Sequence, residues 1–414
     1  MSTMIKPFRG LRPVPGHAAD VAAPPYDVLN TEEARQRADG RPLSFLHISK
    51  PEIDLPSGTN PYAEEVYATG AENLQKLIAD GVLFRDETPC YYAYRQRMGD
   101  HVQTGLVCIC SIEDYDRNRI RKHELTQPKK EDDRVRQITA LNAQTGPVLL
   151  NYRQSGTVKS ILDVTTSGAP VYDLVADDGI GHTFWVIDDQ ADIGTLTDTF
   201  DAMDALYIAD GHHRSAAASR VAATRNAADP QHTGAEEYNY FLCVAFPDDE
   251  TQILDYNRLI KDLNGYSVDE LLQKISEKFL VSAEDHAARQ RQPGQFGMYL
   301  DSHWYRLDIR GDLIPTDDPL ASLDINLLQD HLLEPLLGIE DQRTDSRIDF
   351  VGGIRGLEEL QRRVDSGEMQ VAFALYPTSM EALMAVADAN QVMPTKSTWF
   401  EPKLADGLVS HLLD

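Results

Sequence analysis

Residues 207–220 read YIADGHHRSAAASR. An apolar run, Leu206 to Ala209, stops at Asp210-Gly211, and an alanine-rich helical pattern begins just after two histidines and an arginine. A strand that turns into a helix in this way leaves backbone N–H groups unpaired at the positive end of the helix dipole, where phosphate binds well. Gly211 permits close backbone approach or an unusual dihedral. Arg214 can hold two phosphate oxygens at once. His212 and His213 can donate to phosphate or ligate a metal. Asp210 can bind Mg²⁺ directly or through water. Together these residues make a corner suited to phosphoryl transfer.

Other segments carry chemistry of the same kind. Residues 117–136, RNRIRKHELTQPKKEDDRVR, hold eight of the 39 Lys and Arg. In an acidic chain such a cluster is either a solvated face or a local anion site. VAAPPYDVL fixes an extended backbone at Pro24-Pro25, and serves either as a rigid turn or to aim Tyr26 and Asp27 at a pocket. FLHISKPEIDLP offers Lys50 for a carboxylate or phosphate, or as a surface loop charge. LNAQTGPV reads as a helix C-cap at Gly146 or as a backbone phosphate contact. Arg258 in DYNRLIKDLNG pairs with acids on the simplest reading, and PTKSTWFEPKL reads as a loop able to reach back over a site.

The elements that would position these residues follow from pattern. Helices are expected at 31–40 with Asn30 or Thr31 as cap, at 60–81, at 130–141 with acids in its first turn, and after Ser267 and Ser379. CYYAYRQRM and HVQTGLVCICSI alternate around Gly99-Asp100, a hairpin signal. Cys108 and Cys110 share one face of the second strand. Strands are expected at PVLLNYR, PVYDLVA and HTFWVID, then a helix at ADIGTLTDTFDAMD. YNYFLCVAF and TQILDYNRLI read as a strand pair turned at PDDE, and QFGMYLD with HWYRLDIR as another. The mixture is α+β rather than regular βαβ repetition.

Composition sets the bounds. The 414 residues suit two or three domains, with boundaries expected near 115 and 265: an N-terminal region 1–115, a core 116–265 and a C-terminal region 266–414. A net charge of −27 argues against nucleic acid as a partner and fits an enzyme of small molecules. No run of about 18 apolar residues is present, so no membrane span is expected. The N-terminus lacks a signal-peptide pattern, and a cytoplasmic location is the default. Four scattered cysteines give neither a disulfide framework nor a zinc spacing. P-loop and protein-kinase signatures are absent.

ADGHHR followed by a small-residue helix resembles the nucleotide-binding motif of the ParB/sulfiredoxin-like fold, in the version found in free-serine kinases. Those kinases carry an upstream His-Glu pair whose Glu is the catalytic base, and His123-Glu124 stands in the matching order here, with three extra strand-like segments before the DGHHR strand. The resemblance implies a ParB/sulfiredoxin-like nucleotide-binding core, with ATP or ADP and Mg²⁺ as cofactors. It implies catalytic Glu124, Asp210 and His213, a metal on Asp210, and phosphate contacts from His123, Gly211, His212, Arg214 and Ser215. Free serine as acceptor would place Asp27 at the ammonium and Lys50 or Arg134 at the carboxylate. PFRGLRP, VAAPPYDVL, KHELT, LNAQTGPV, YIADGHHR and KSTWFEPKLADGL resemble, nearly end to end, the family catalogued as domain of unknown function 1015. The expected function is a kinase acting on a small hydroxyl compound. A nucleotide-binding or DNA-partitioning regulator, and a phosphatase or nucleotide hydrolase at the same corner, stay open as alternatives.

Overall fold

Alternating apolar residues around Gly99-Asp100 fold as expected into an antiparallel hairpin, Tyr91–Met98 with His101–Ser111, with Tyr92 opposite Val107. In the computed structural model, which describes residues 3–414, this hairpin sits within a mixed sheet. Among the described residues the sheet has nine strands. From one edge they run Ile120–Arg121, Leu206–Asp210, Val148–Tyr152, Tyr240–Pro247, His101–Ser111, Tyr91–Met98, Gly181–Ile187 and Tyr172–Val175, and Ile5–Lys6 pairs with His101–Ser111. Two pairings are parallel, Leu206–Asp210 with Ile120–Arg121 and Tyr240–Pro247 with Val148–Tyr152. With its helices, the chain is the α+β, mixed-sheet protein that the sequence pattern implies.

The chain divides into two compact units. The first runs to Thr251 and is completed by Pro402–Asp414, and the second is Gln252–Glu401. Strands from both sides of residue 115 belong to the sheet of the first unit. Its core packs Cys108, Leu150, Leu206, Ile208, Phe200 and Cys243, all fully buried. The second unit is built on an antiparallel sheet in the order Phe279–Glu284, His303–Ile309, Gln295–Leu300, Val371–Ala374, Tyr256–Ile260, Ile348–Gly352. The QFGMYLD and HWYRLDIR strands pair as expected.

Caps follow the side-chain chemistry. Asn30 caps Thr31–Ala38 and Ser267 caps Val268–Ile275, each with a reciprocal glutamate three residues on. Ser379 caps Met380–Asp388. Helix Pro128–Leu141 begins on its proline, where a missing N–H costs nothing, and packs through Ile138 on Ala217 and Val221 of helix His212–Ala228.

Three expectations are corrected. The cap after Leu141 is Asn142, in the left-handed region at φ 50°, and not Gly146. Tyr240–Pro247 does not pair with the TQILDYNRLI segment, because both its edges are taken by His101–Ser111 and Val148–Tyr152. That segment instead breaks at Asp255 into Gln252–Leu254, paired with Trp399–Glu401, and Tyr256–Ile260. Arg258 does not pair with an acid. Its guanidinium donates to the carbonyls of Tyr256 and Lys396 and to Gln342 Oε1, and lies against the Phe350 ring. Helix Gly156–Thr166 went unanticipated, since its N-terminal half alternates small and polar residues.

The segment Pro402–Asp414 returns to the first unit as a strap. Ala23 and Asp406 exchange backbone hydrogen bonds, as do Leu11 and Ser410, and His411–Leu412 pairs with Ala143–Gln144. Gly407 lets the strap turn at φ +88°, and a Cβ there would stand 2.9 Å from Phe45 side-chain atoms. Replacing Gly407 by Ala adds left-handed strain and a clash with a buried ring. Thermal or urea unfolding of Gly407→Ala should show a loss of about 1–3 kcal/mol, and an unchanged midpoint would contradict the strap's geometry.

Candidate functional site

The corner at 210–214 forms where strand Leu206–Asp210 leaves the sheet. Tyr207 lies opposite Asn151 and Ile208 opposite Leu150, but Asp210, not Ala209, lies opposite Leu149. This bulge inserts one residue and re-aims the end of the strand. Gly211 follows in the left-handed region, at φ +100°, and helix His212–Ala228 starts without a side-chain cap. Its first N–H groups therefore remain available to an anion.

Asp210 is the electrostatic centre. Its Oδ2 lies 3.5 Å from Arg214 Nη2 and 3.4 Å from Lys403 Nζ. Burial alone would raise the carboxyl, but Lys403 and then Arg214 outweigh it and hold Asp210 ionised, well below the usual carboxylate range. Arg214 also donates to the Pro147 carbonyl. Ser215 is fully buried, and its hydroxyl turns back to the carbonyls of Gly211 and His212 at 3.4 and 3.1 Å. His213 Nε2 accepts from the Gln127 backbone N–H at 3.0 Å, so the imidazole is neutral there and Nδ1 carries its proton. Burial, then Lys130, lower its pKa.

Parallel pairing brings the second motif alongside. Ile120 is in register with Leu206 and Arg121 with Tyr207, so the residues following both strands emerge at the same sheet edge. His123 and His212 meet there edge to face, with ring centroids 4.5 Å apart. His123 is 1% and His212 5% exposed. The Ile208 carbonyl bears on the His123 ring, and a nitrogen of His123 and Nε2 of His212 lack a hydrogen-bond partner among the described residues. Burial pushes His123 down to about 4 and His212 well below its ordinary value. Glu124 is half-buried, and a carboxylate oxygen of it lies within 4.8 Å of both imidazoles' nitrogens.

Behind the corner is a cavity of about 40 Å³, lined among others by Tyr26, Arg134, Thr145, Gly146, Arg214 and Asp406. That is room for one or two water-sized groups. Arg134 stacks on the Tyr26 ring at 3.8 Å and pairs with Asp133 at 2.6 Å. Asp406 is 2% exposed and its Oδ1 has no partner. Burial raises its pKa to about 7 against the pull of Arg214, with Asp27 adding to the rise.

The structure thus gathers Glu124, His123, Asp210, Gly211, His212, His213, Arg214 and Arg134 about one sheet edge. Asp27 is exposed next to Tyr26, and its charge reaches Arg214 and Asp406. Lys50 is engaged elsewhere: its ammonium sits 3.1 Å from the buried carboxylate of Glu52. Lys403 and Asp406 were not among the residues singled out from sequence. The only available signal was the KLADG string, whose position depends on a contact across 193 residues.

A family model described as "Protein of unknown function (DUF1015)" matches residues 5–326. No curated protein matches. Among solved structures, the chain is similar to a free serine kinase in complex with AMP, at 13% identity and a TM-score of 0.36, over 73% of this chain and 92% of that one. It is also similar to a conserved hypothetical protein from Pyrococcus furiosus, at 14% identity and a TM-score of 0.35, over 72% and 93% of the two chains. A third is C-terminally truncated SbnI from Staphylococcus aureus, at 10% identity and a TM-score of 0.38, over 72% and 85%.

Asp406 makes the site pH-sensitive in a defined direction. The folded carboxyl titrates near 7 and the unfolded one near 3.8. The native state therefore holds the extra proton between these values, and stability present below pH ~4 is lost as pH rises through ~7. Asp406→Asn removes that dependence. It should match the wild type near pH 4 and exceed it above pH 7, by at most about 4–5 kcal/mol, in urea unfolding at several pH values. Parallel curves for the two proteins would refute the assignment.

Proposed function

The chain belongs to the DUF1015 family, and we propose that it is a nucleotide-dependent phosphotransferase whose acceptor is the hydroxyl of a small metabolite, free L-serine first. One observation carries the proposal. An ionised Asp210, held by Lys403 and Arg214, stands at an uncapped helix start beside a half-buried glutamate. Phosphoryl transfer needs these parts: oriented N–H groups and cations for the phosphates, and a base for the hydroxyl. The DGHHR and His-Glu motifs point to the serine kinases, which supplies the acceptor.

In this reading the backbone at Gly211–His213 and the Arg214 guanidinium hold the phosphates of ATP or ADP. The serine hydroxyl oxygen attacks the terminal phosphorus. A new O–P bond forms, the bond to the bridging oxygen breaks, and its electron pair leaves with the nucleotide. Glu124 takes the hydroxyl proton. Asp210 fits a Mg²⁺ ion because it is ionised and both its cationic partners address Oδ2. Bound there, Mg²⁺ would neutralise phosphate charge. Asp27 and Arg134, whose charges act on the Asp406 carboxyl beside the corner, would take an amino acid's ammonium and carboxylate, and Asp406 adds a second acid.

Incubation with ATP or ADP, Mg²⁺ and serine should yield O-phosphoserine by phosphorus NMR. Glu124→Gln should lower kcat by about 10²- to 10⁴-fold while nucleotide affinity stays within a few-fold. Inorganic phosphate released without phosphoserine would favour hydrolysis over transfer. Full turnover in the Glu124→Gln variant would remove Glu124 from the role of base.

A further inference from the structure

We propose that His123, Glu124 and His212 form a binding site for a borderline divalent transition-metal ion such as Zn²⁺ or Co²⁺, separate from the Mg²⁺ that accompanies a nucleotide. Buried ring nitrogens without partners are the starting point, one on His123, whose ring also meets the Ile208 carbonyl, and Nε2 of His212. A buried polar atom left unsatisfied costs about 1–3 kcal/mol, and native structures almost always supply a partner. One ligand atom from each of His123, Glu124 and His212 lies within 4.8 Å of the others.

The donor set selects the ion. Two neutral imidazoles and one carboxylate suit zinc and its first-row neighbours, with positions left for water or substrate. Mg²⁺ demands oxygen ligands and would bypass the imidazoles. Hydration competes poorly inside the site, because the edge-to-face rings are almost fully buried and only Glu124 reaches the surface layer. The two segments that carry these ligands also come pre-positioned. His212 opens a long helix, and His123 follows the strand in parallel register beside it. An ion on the Glu124 carboxylate competes with a proton there, so its loading would set how basic that group is.

A second cluster, Cys108, Cys110 and Cys243, is fully buried in the apolar core with Sγ separations of 3.0 and 3.3 Å to Cys243. It is the rival seat for a soft ion, and the test must separate the two. The full chain, stripped with chelator and free of nucleotide, is titrated with Co²⁺ and followed by its visible absorbance, then with Zn²⁺ by calorimetry. One equivalent should bind. The double variant His123→Ala/His212→Ala should bind at least about 10- to 100-fold more weakly, while Cys108→Ser/Cys243→Ser binds as the wild type does. In the wild type, which needs no substitution, Zn²⁺ should shift the ring-nitrogen NMR signals of His123 and His212 and leave other imidazoles in place. Absence of those shifts, or binding lost only in the cysteine variant, would overturn the proposal. Because no nucleotide or serine is present, the result stands or falls apart from the kinase reading.

Discussion

The contact between Lys403 and Asp210 fixes the site. It joins residues 193 positions apart, at 3.4 Å, and brings the C-terminal strap onto the corner where helix His212–Ala228 begins. Burial alone would raise the carboxyl of Asp210, although its side chain is 32% exposed. With Lys403 and Arg214 on the same oxygen it stays charged. The two cations are in turn kept at the helix start, where only the dipole's positive end would otherwise mark the place. The strap that delivers Lys403 also delivers Asp406 to the cavity wall and needs the left-handed turn at Gly407 to do so.

Backbone geometry does the rest of the positioning. The bulge before Asp210 and the positive φ of Gly211 are two successive departures from regular strand. Each would be unfavourable in the interior of an element, and here they share one turn. Parallel pairing with Ile120–Arg121 then places His123 and Glu124 next to the corner without a long-range side-chain contact. A hairpin between the same strands would have sent the two motifs to opposite ends.

Much of this was legible in the sequence because it is local. The strand-to-helix corner, the hairpin at Gly99-Asp100, the caps at Asn30, Ser267 and Ser379 and the pairing of Gln295–Leu300 with His303–Ile309 all depend on residues a few positions apart. What escaped depends on partners far along the chain. Tyr240–Pro247 looked like half of a hairpin until both its edges proved to be taken. Arg258 reads as a residue seeking an acid, and besides the Tyr256 carbonyl in its own strand its partners are Gln342 and Lys396, far along the chain in loops of its unit. Lys50 looked free to bind an anion, although Glu52 two residues on was already a candidate partner. Asp406 stands out only through the KLADG string, since an aspartate before a glycine is by itself an ordinary turn in any sequence.

The basic cluster at 117–136 shows how an acidic protein can still offer an anion site. Arg117 pairs with Glu113 at 2.5 Å and Arg119 with Asp114 at 3.5 Å. Lys122 lies over the Tyr115 ring, Lys129 over Tyr62, and Arg136 donates to the Tyr62 carbonyl. Arg117 and Arg119 are neutralised by acids, whereas Lys122, Lys129 and Arg136 are held against rings and a carbonyl and keep their charge, and Lys130 acts on His213 at the corner. Of the cluster, Arg134 faces the cavity. An anion approaching a chain of net charge −27 is therefore repelled at long range, until screening over about 8–10 Å removes that field. Recognition must then come from the short-range set: Arg134, Arg214, Lys403 and the N–H groups after Gly211. Such a set would reward a phosphate that fits the corner and give nothing to a polyanion that cannot enter it, which is the selectivity that the proposed small-molecule enzyme needs and a nucleic-acid binder does not.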